Sequence, residues 1–341
     1  MSVISWIYAT VFEWLHAIVD AVTCWKRLNP NRQVGWKSWN RKTGKLEREQ
    51  QPLTKKLKLL LLFNPITEWL DTTHAMRLHI HRRTERSGVQ ESSPKSRKQI
   101  RSFVESYGIK MEDFDPSDIS EYSSFEAFFT RKHKPGSRPI FEKDDMSAAV
   151  VVADSRVVAF PSVAASKRLW IKGSDFSVTE LVMDTQLGAA FEDGAIASFR
   201  LSPQDYHRYH SPVSGRVKLF RSVPGDYYQV DPVALRSDVN ILTQNRRSYV
   251  VIETVEFGDV LFVAIGATDV GSVQFRETWK EKGSRIQKGE EIGVFQYGGS
   301  SIIVGFQNGR IQFDDDLLEL SQAQIQVSVE VGMSLGHAVK L

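Results

Sequence analysis

The sequence predicts an α+β protein, a β-rich core preceded by a helical N-terminal region. Three observations predict it. From Ala148 onward the chain runs in short β-rich segments cut by turn residues. Along that core, three glycine-centred stretches repeat one local turn logic. The first 25 residues instead space their apolar side chains at helical intervals. At 341 residues the chain has room for one large core plus an appendage. Its 25% charged and 41% hydrophobic residues are ordinary globular composition. The single cysteine, Cys24, excludes an intrachain disulfide framework and any multi-cysteine zinc site.

Ile4, Ile7, Val11, Leu15, Ile18 and Val22 fall at helical spacing, with Glu13, His16 and Asp20 on the other side. The charges interrupt the apolar stretch, so the pattern predicts an amphipathic helix rather than a transmembrane span. A signal peptide's basic start and small-residue cleavage site are missing, and acidic residues without arginine argue against a mitochondrial presequence. Trp6, Trp14 and Trp25 favour the lipid headgroup level. From Lys26 to Lys98 there are 18 Lys/Arg against 6 Asp/Glu, a block suited to an anionic partner. Trp36 and Trp39 lie among Lys37, Arg41 and Lys42, and Lys55-Lys56-Leu57-Lys58 leads into Leu59-Leu60-Leu61-Leu62-Phe63. Aromatics mixed with cations beside an amphipathic helix point to interfacial attachment on an anionic membrane. A helix packed on the protein's own core is the competing reading, and nucleic acid ranks third because no binding motif accompanies the charge. The polar stretch Gly88 to Lys98 reads as a linker. Ile100, Phe103, Val104 and Tyr107 predict a short helix. The main domain is therefore expected to start near Ser96, dividing the chain into 1–95 and 96–341.

In that domain the strand candidates are Val150-Val151-Val152, Ile196-Ala197-Ser198-Phe199, Tyr249-Val250-Val251-Ile252 and Val260-Leu261-Phe262-Val263-Ala264-Ile265. Pro224-Gly225-Asp226 and Gly298-Gly299 punctuate them, a pattern of barrel or sandwich rather than βαβ units. Ser211 to Val217, Ile286 to Gly293 and Val331 to Gly336 resemble turn segments of barrel-sandwich hybrids, where glycine supplies positive φ.

Three stretches hold candidate chemistry. Tyr206-His207-Arg208-Tyr209-His210 sets two histidines three apart. They suit metal binding, a structural role or acid–base catalysis, though Pro203 and Pro212 disfavour a long helix and no His or Cys partner lies close in sequence. Asp154 ends a strand candidate, a common place for a turn-forming aspartate. Gly298-Gly299-Ser300-Ser301 on its own reads as a hairpin turn. Together they form an Asp/His/Ser set in which a base activates a serine hydroxyl and a carboxylate orients the base. No G-x-S-x-G elbow supports an α/β-hydrolase.

From about Ser96 to Leu341 the chain resembles the phosphatidylserine decarboxylases. Phe128-Phe129-Thr130-Arg131 followed by Lys134-Pro135-Gly136-Ser137-Arg138-Pro139-Ile140 is similar to that family's FFxRxLKPxxRPI segment. Ala153-Asp154-Ser155 resembles its A-D-G step, and Asp205 to Pro212 its DYHRxHxP block. Gly266-Ala267-Thr268 with Val270-Gly271-Ser272-Val273 resembles its VGATxVGSI run, and Lys288 to Gly293 precedes the cleavage motif in the family's order. The resemblance implies a proenzyme cut between Gly299 and Ser300 into a long β chain and a short α chain that stay associated. His210 would act as base on Ser300, oriented by Asp154, and Ser300 would become a covalent pyruvoyl group. His207 would serve in the decarboxylation of phosphatidylserine to phosphatidylethanolamine and CO2, through a Schiff base to that pyruvoyl group. Neither pyridoxal phosphate nor a metal is required by this chemistry.

Three departures stand out. The family's L-G-S-T reads Gly298-Gly299-Ser300-Ser301, Ser155 replaces a glycine, and His133 replaces the leucine before Lys134. A G-G-S-S motif also occurs in relatives that decarboxylate free aromatic amino acids, which gives the alternative substrate. A non-catalytic membrane-binding relative is the alternative of another class. The resemblance further implies a homodimer, and the expected location is peripheral or interfacial on an intracellular membrane.

Overall fold

A computed structural model describes residues 37–48, 90–169, 176–226, 241–266, 273–296 and 300–340. The expected helix over Met1 to Trp25, the Leu59 to Leu62 run, Ala267 to Ser272 and the Gly298-Gly299 pair lie outside the described residues. The strands are β1 (Lys37–Asn40), β2 (Lys45–Arg48), β3 (Phe114–Asp115), β4 (Lys132–His133), β5 (Ala148–Val150), β6 (Ser155–Phe160), β7 (Ala195–Leu201), β8 (Arg208–His210), β9 (Gly215–Val223), β10 (Arg247–Glu253), β11 (Asp259–Gly266), β12 (Val273–Phe275), β13 (Arg285–Ile286), β14 (Glu291–Phe295), β15 (Ser300–Phe306), β16 (Ile311–Phe313), β17 (Gln326–Val329) and β18 (Ser334–Ala338). The helices used below are α1 (Ile100–Tyr107), α2 (Phe125–Phe129), α3 (Val178–Val182) and α4 (Asp315–Gln322). The fold class is α+β, as expected.

Ten strands form one sheet in the order β13-β9-β10-β11-β15-β7-β6-β17-β1-β2. All its pairings are antiparallel except β1 on β17. Its ends are β13 and β2, so the sheet is open and the described residues contain no closed barrel. β7 and β15 are buried at every position, and β11 from Val260 onward. A strand covered on both faces has no need of polar alternation, which explains the unbroken run Val260 to Ile265. One cover is the small sheet β12-β14-β8, whose Tyr209 ring packs 5.6 Å from Phe262 and 4.7 Å from Phe295. α3 and α4 contribute Leu181, Val182 and Leu317 to the same core.

Two of the glycine-centred segments meet. Gly289 N donates to Ser211 O at 2.8 Å, and Ser211 N donates to Glu290 O at 2.8 Å. Residues 94–131 form a satellite around Ile100, Tyr122, Phe125, Phe128 and Phe129. Gly108 ends α1 in the left-handed region at φ 62°, its N–H returning to Val104 O, a conformation L side chains adopt at a cost. Ser124 caps α2, and Ser96, buried, accepts from Phe125 N at 2.8 Å.

One reading of the basic N-terminal third is corrected here. Trp39, Arg41 and Lys42, expected at a lipid interface, belong to the β1–β2 hairpin that extends the main sheet. Trp39 packs against the main core. Arg41 pairs with Asp314 at 2.7 Å and Asp316 at 2.8 Å, and Lys42 with Glu330 at 2.9 Å. The parallel pairing to β17 spans most of the chain, so no local pattern signals it. No helix among the described residues is long and apolar enough to cross a membrane.

Candidate active site

β8 alternates as a strand must: Tyr209 enters the core while Arg208 and His210 face the other way, half-buried. The His210 ring is held at both nitrogens. Nδ1 lies 2.9 Å from Gly289 O, and Nε2 lies 3.0 Å from the Tyr206 hydroxyl. A carbonyl only accepts, so Nδ1 carries the proton and Nε2 holds the lone pair. Burial lowers the His210 pKa, with the Gly289 hydrogen bond opposing it, which favours the neutral ring. Gly289 can turn its carbonyl this way because it sits at φ +78°, where a Cβ would lie 2.5 Å from Ile140 Cδ1.

Asp154, in the turn before β6, does not hydrogen-bond to His210. Its carboxylate accepts from Arg138 Nη2 at 2.9 Å, from Arg138 Nε at 3.2 and 3.3 Å, and from Val331 N at 2.8 Å. His133 Nε2 lies 3.1 Å from the same carboxylate. Burial alone would raise the Asp154 pKa. The His133 hydrogen bond and the Arg138 charge outweigh it and hold the carboxyl well below its ordinary range. His133 packs against two rings: Phe114 stacks on it at 4.7 Å, and Tyr206 lies tilted against it at 4.1 Å. The path from Asp154 to His210 therefore runs through His133 and Tyr206.

His207 is fully buried. Its Nδ1 lies 2.9 Å from Asp205 O and its ring 3.9 Å from Phe129. Its carbonyl accepts from Phe295 N at 3.0 Å, which sets the DYHR segment beside the residues that precede the Gly-Ser motif. Ser300 opens β15, opposite Leu201 on one side and Gly266 on the other. It is fully buried, and its Oγ has no hydrogen-bond partner among the described residues. A buried hydroxyl without a partner is uncommon and costs stability, so it calls for a chemical explanation. Ser301 behaves in the ordinary way, donating to Phe199 O at 3.0 Å.

The arrangement brings together Asp154 and His210 through intermediaries, and the backbone of His207 beside the approach to Ser300. Sequence reasoning missed His133, Arg138, Tyr206 and Gly289 as working parts. The histidine standing where leucine is usual was the available signal for His133. Among the described residues, no group of three or more His, Cys, Asp or Glu is placed to hold a metal ion.

A family model described as phosphatidylserine decarboxylase matches residues 125–337. Phosphatidylserine decarboxylase proenzyme 2 of Oryza sativa subsp. japonica is 43% identical over 259 residues, covering 75% of this chain and 41% of the relative. The protein of the same name from Komagataella phaffii is 36% identical over 301 residues, covering 87% and 29%. The phosphatidylserine decarboxylase proenzyme of Fusobacterium nucleatum is 35% identical over 252 residues, covering 73% of this chain and 81% of the bacterial one. The chain thus spans less than half the length of the first two relatives and most of the third.

Proposed function

The chain belongs to the phosphatidylserine decarboxylase family, and from that premise we propose that it cleaves itself at Gly299-Ser300 and decarboxylates phosphatidylserine to phosphatidylethanolamine. The observation that carries the proposal is Ser300: a hydroxyl that is fully buried at the head of a central strand, without a hydrogen-bond partner among the described residues. Such a group fits a side chain consumed in maturation.

His210 Nε2 takes the Ser300 proton as Oγ attacks the Gly299 carbonyl carbon. The Gly299–Ser300 C–N bond breaks as the protonated His210 passes that proton to the leaving Ser300 amine, and an ester remains. Loss of the Ser300 Cα proton with cleavage of its Cβ–O bond releases the Gly299 carboxylate. Water then displaces ammonia and leaves the pyruvoyl ketone. Asp154 supports His210 electrostatically, since its negative charge favours the protonated ring. Once formed, the pyruvoyl group supplies an electron sink for the pair left when the substrate's carboxylate departs as CO2. His207, whose Nδ1 donates to Asp205 O, serves as the imidazolium, protonated at Nε2 as well, and returns that Nε2 proton to the carbon that lost CO2.

The α chain stays with the β chain because β15 lies between β11 and β7 in the middle of the ten-stranded sheet. The mutual hydrogen bonds of the 211–217 and 286–293 segments support a barrel-sandwich-hybrid-like arrangement beside the site. Residues outside the described set in 1–95 are assigned to attachment on an anionic membrane surface, with 96–341 as the decarboxylase domain, to whose sheet the 37–48 hairpin adds two strands. A homodimer and a peripheral or interfacial place on an intracellular membrane complete the proposal.

Intact masses of the purified chains under denaturing conditions test it. Two fragments meeting at Gly299-Ser300, the shorter lighter by the serine-to-pyruvoyl change, are expected. CO2 release from phosphatidylserine vesicles, compared with a free aromatic amino acid, then identifies the substrate. A single full-mass chain overturns self-cleavage, and release from the amino acid alone overturns the lipid assignment.

A further inference from the structure

The self-cleavage reading requires the one basic nitrogen of His210 to reach Ser300 Oγ. Nδ1 is unavailable, because it donates to Gly289 O at 2.9 Å. Nε2 carries the lone pair, and the Tyr206 hydroxyl lies on it at 3.0 Å. The Tyr206 hydroxyl must donate there, since a neutral Nε2 can only accept. A nitrogen engaged by one donor cannot at the same moment accept the serine proton.

The position of Tyr206 is fixed from several sides. Its ring is 3% exposed and packs with Phe114 and Val331. His133 lies on it at 4.1 Å, held in turn by Asp154 at 3.1 Å. The charged and titratable groups around the pair are Asp154, His133 and Glu291, which act on His210, and Arg208, Glu291, Asp154 and Arg276, which act on Tyr206. Burial raises the Tyr206 pKa well above its ordinary value, so the phenol keeps its proton at neutral pH.

We infer that Tyr206 is a positioning residue of the cleavage site: its hydroxyl occupies His210 Nε2, held there by the His133–Asp154 pair, and maturation proceeds when Tyr206 gives up that nitrogen to Ser300. Tyr206 sets the rate at which an uncut chain becomes a cut one. It takes no part in the bonds made or broken. This inference rests on the self-cleavage reading, and the test separates the two.

Cleavage of the full-length chain is followed from synthesis by intact mass, for the wild type, Tyr206→Phe, and chains carrying fluorinated tyrosines at position 206. The fluorotyrosines preserve the ring and strengthen the donor. Tyr206→Phe preserves the ring and removes it. A neutral hydrogen bond of ordinary net strength sets the scale at roughly two- to tenfold faster cleavage for Tyr206→Phe, with the fluorinated chains slower than wild type. In the uncleavable Ser300→Ala chain, the Nε2 nitrogen resonance of His210 is expected to move toward that of an unbonded neutral imidazole when Tyr206→Phe is added. A merely structural tyrosine would leave that resonance in place. Slower cleavage in Tyr206→Phe, a reversed order among the fluorinated chains, or an unmoved Nε2 resonance overturns the inference while leaving self-cleavage standing. A wild-type chain that never cleaves overturns the self-cleavage reading itself, and the inference with it.

Discussion

Arg138 spans the carboxylate of Asp154, with Nη2 at 2.9 Å and Nε at 3.2 and 3.3 Å from its oxygens. The pair is mostly buried, at 11% and 15% side-chain exposure. Arg138 lies five residues past His133 on the segment that follows β4, so one short stretch of chain supplies two of the three groups holding Asp154.

Arg138→Leu is expected to destabilise the protein by about 2 kcal/mol, the scale of a hydrogen bond to a charged group. The Asp154 pKa in the fold lies below that of an unfolded aspartate, about 3.9. Its stabilisation is therefore complete above about pH 4 and fades as pH falls toward the native value. Thermal melts from pH 7 to pH 3 should show the variant losing less with acid than the wild type does. An unchanged melting temperature at pH 7 would contradict the role given to Arg138.

Ser300→Ala should remain one full-length chain and release no CO2. It should also be as stable as the wild-type proenzyme or slightly more so, because the alanine removes a buried hydroxyl that has no partner among the described residues. Denaturant titration beside the intact-mass measurement checks both halves. Cleavage in this variant would remove Ser300 from the mechanism.

His207→Ala should still cut itself to a substantial degree, while decarboxylation by the cut enzyme falls by roughly 10²- to 10⁴-fold, the usual share of a general acid or base. Comparing single-turnover CO2 release with the fraction cleaved separates the two effects. Equal losses in both would move His207 into the cleavage step.

For His210 the expectation concerns pH. Burial lowers its pKa below the ordinary value of about 6.5, so the base stays neutral at neutral and mildly acidic pH. Self-cleavage should hold its rate as pH drops from 8 to about 6.5 and decline only in more acidic buffer. The same shift costs stability as pH falls below about 6.5, because the unfolded chain then binds the proton more readily. A cleavage rate that falls already between pH 8 and 7 would contradict a neutral, buried base.

Two truncations distinguish fold from attachment. Removing residues 1–36 leaves the β1–β2 hairpin in place, and it should lower vesicle binding with little change in melting temperature. Removing residues 1–58 also takes Arg41 from Asp314 and Asp316, and strips β1 from β17. That chain should melt several degrees lower. Undiminished binding to anionic vesicles by the 1–36 deletion would refute attachment through residues 1–36.

The strand-rich core was legible because its central strands are covered on both faces, and runs such as Val260 to Ile265 have few other uses. Asp154, His207, His210 and Ser300 stand out in the sequence as chemistry-bearing types at motif positions, and their catalytic roles stay a proposal. Their partners do not stand out. Whether Asp154 meets His210 or His133 depends on how β4, β8 and the turn before β6 are brought together, and the stretch from Lys132 to Arg138 gives no periodic signal of where it docks. Trp39 and Arg41 were misread for a related reason. An aromatic beside a cation is the same local pattern at a lipid surface and at a sheet edge, and only the distant Asp314, Asp316 and β17 decide between them.

The location of Ser300 at the head of β15 has a consequence for quality control. With β11 and β7 hydrogen-bonded along both its sides, the serine reaches its reactive setting only in a chain whose sheet has already assembled. Under the proposed self-cleavage, a copy that misassembles its centre would neither cut itself nor acquire a reactive carbonyl. On the proposed self-cleavage, folding of the central sheet thus comes before reactivity, and a chain cannot act before that sheet is built.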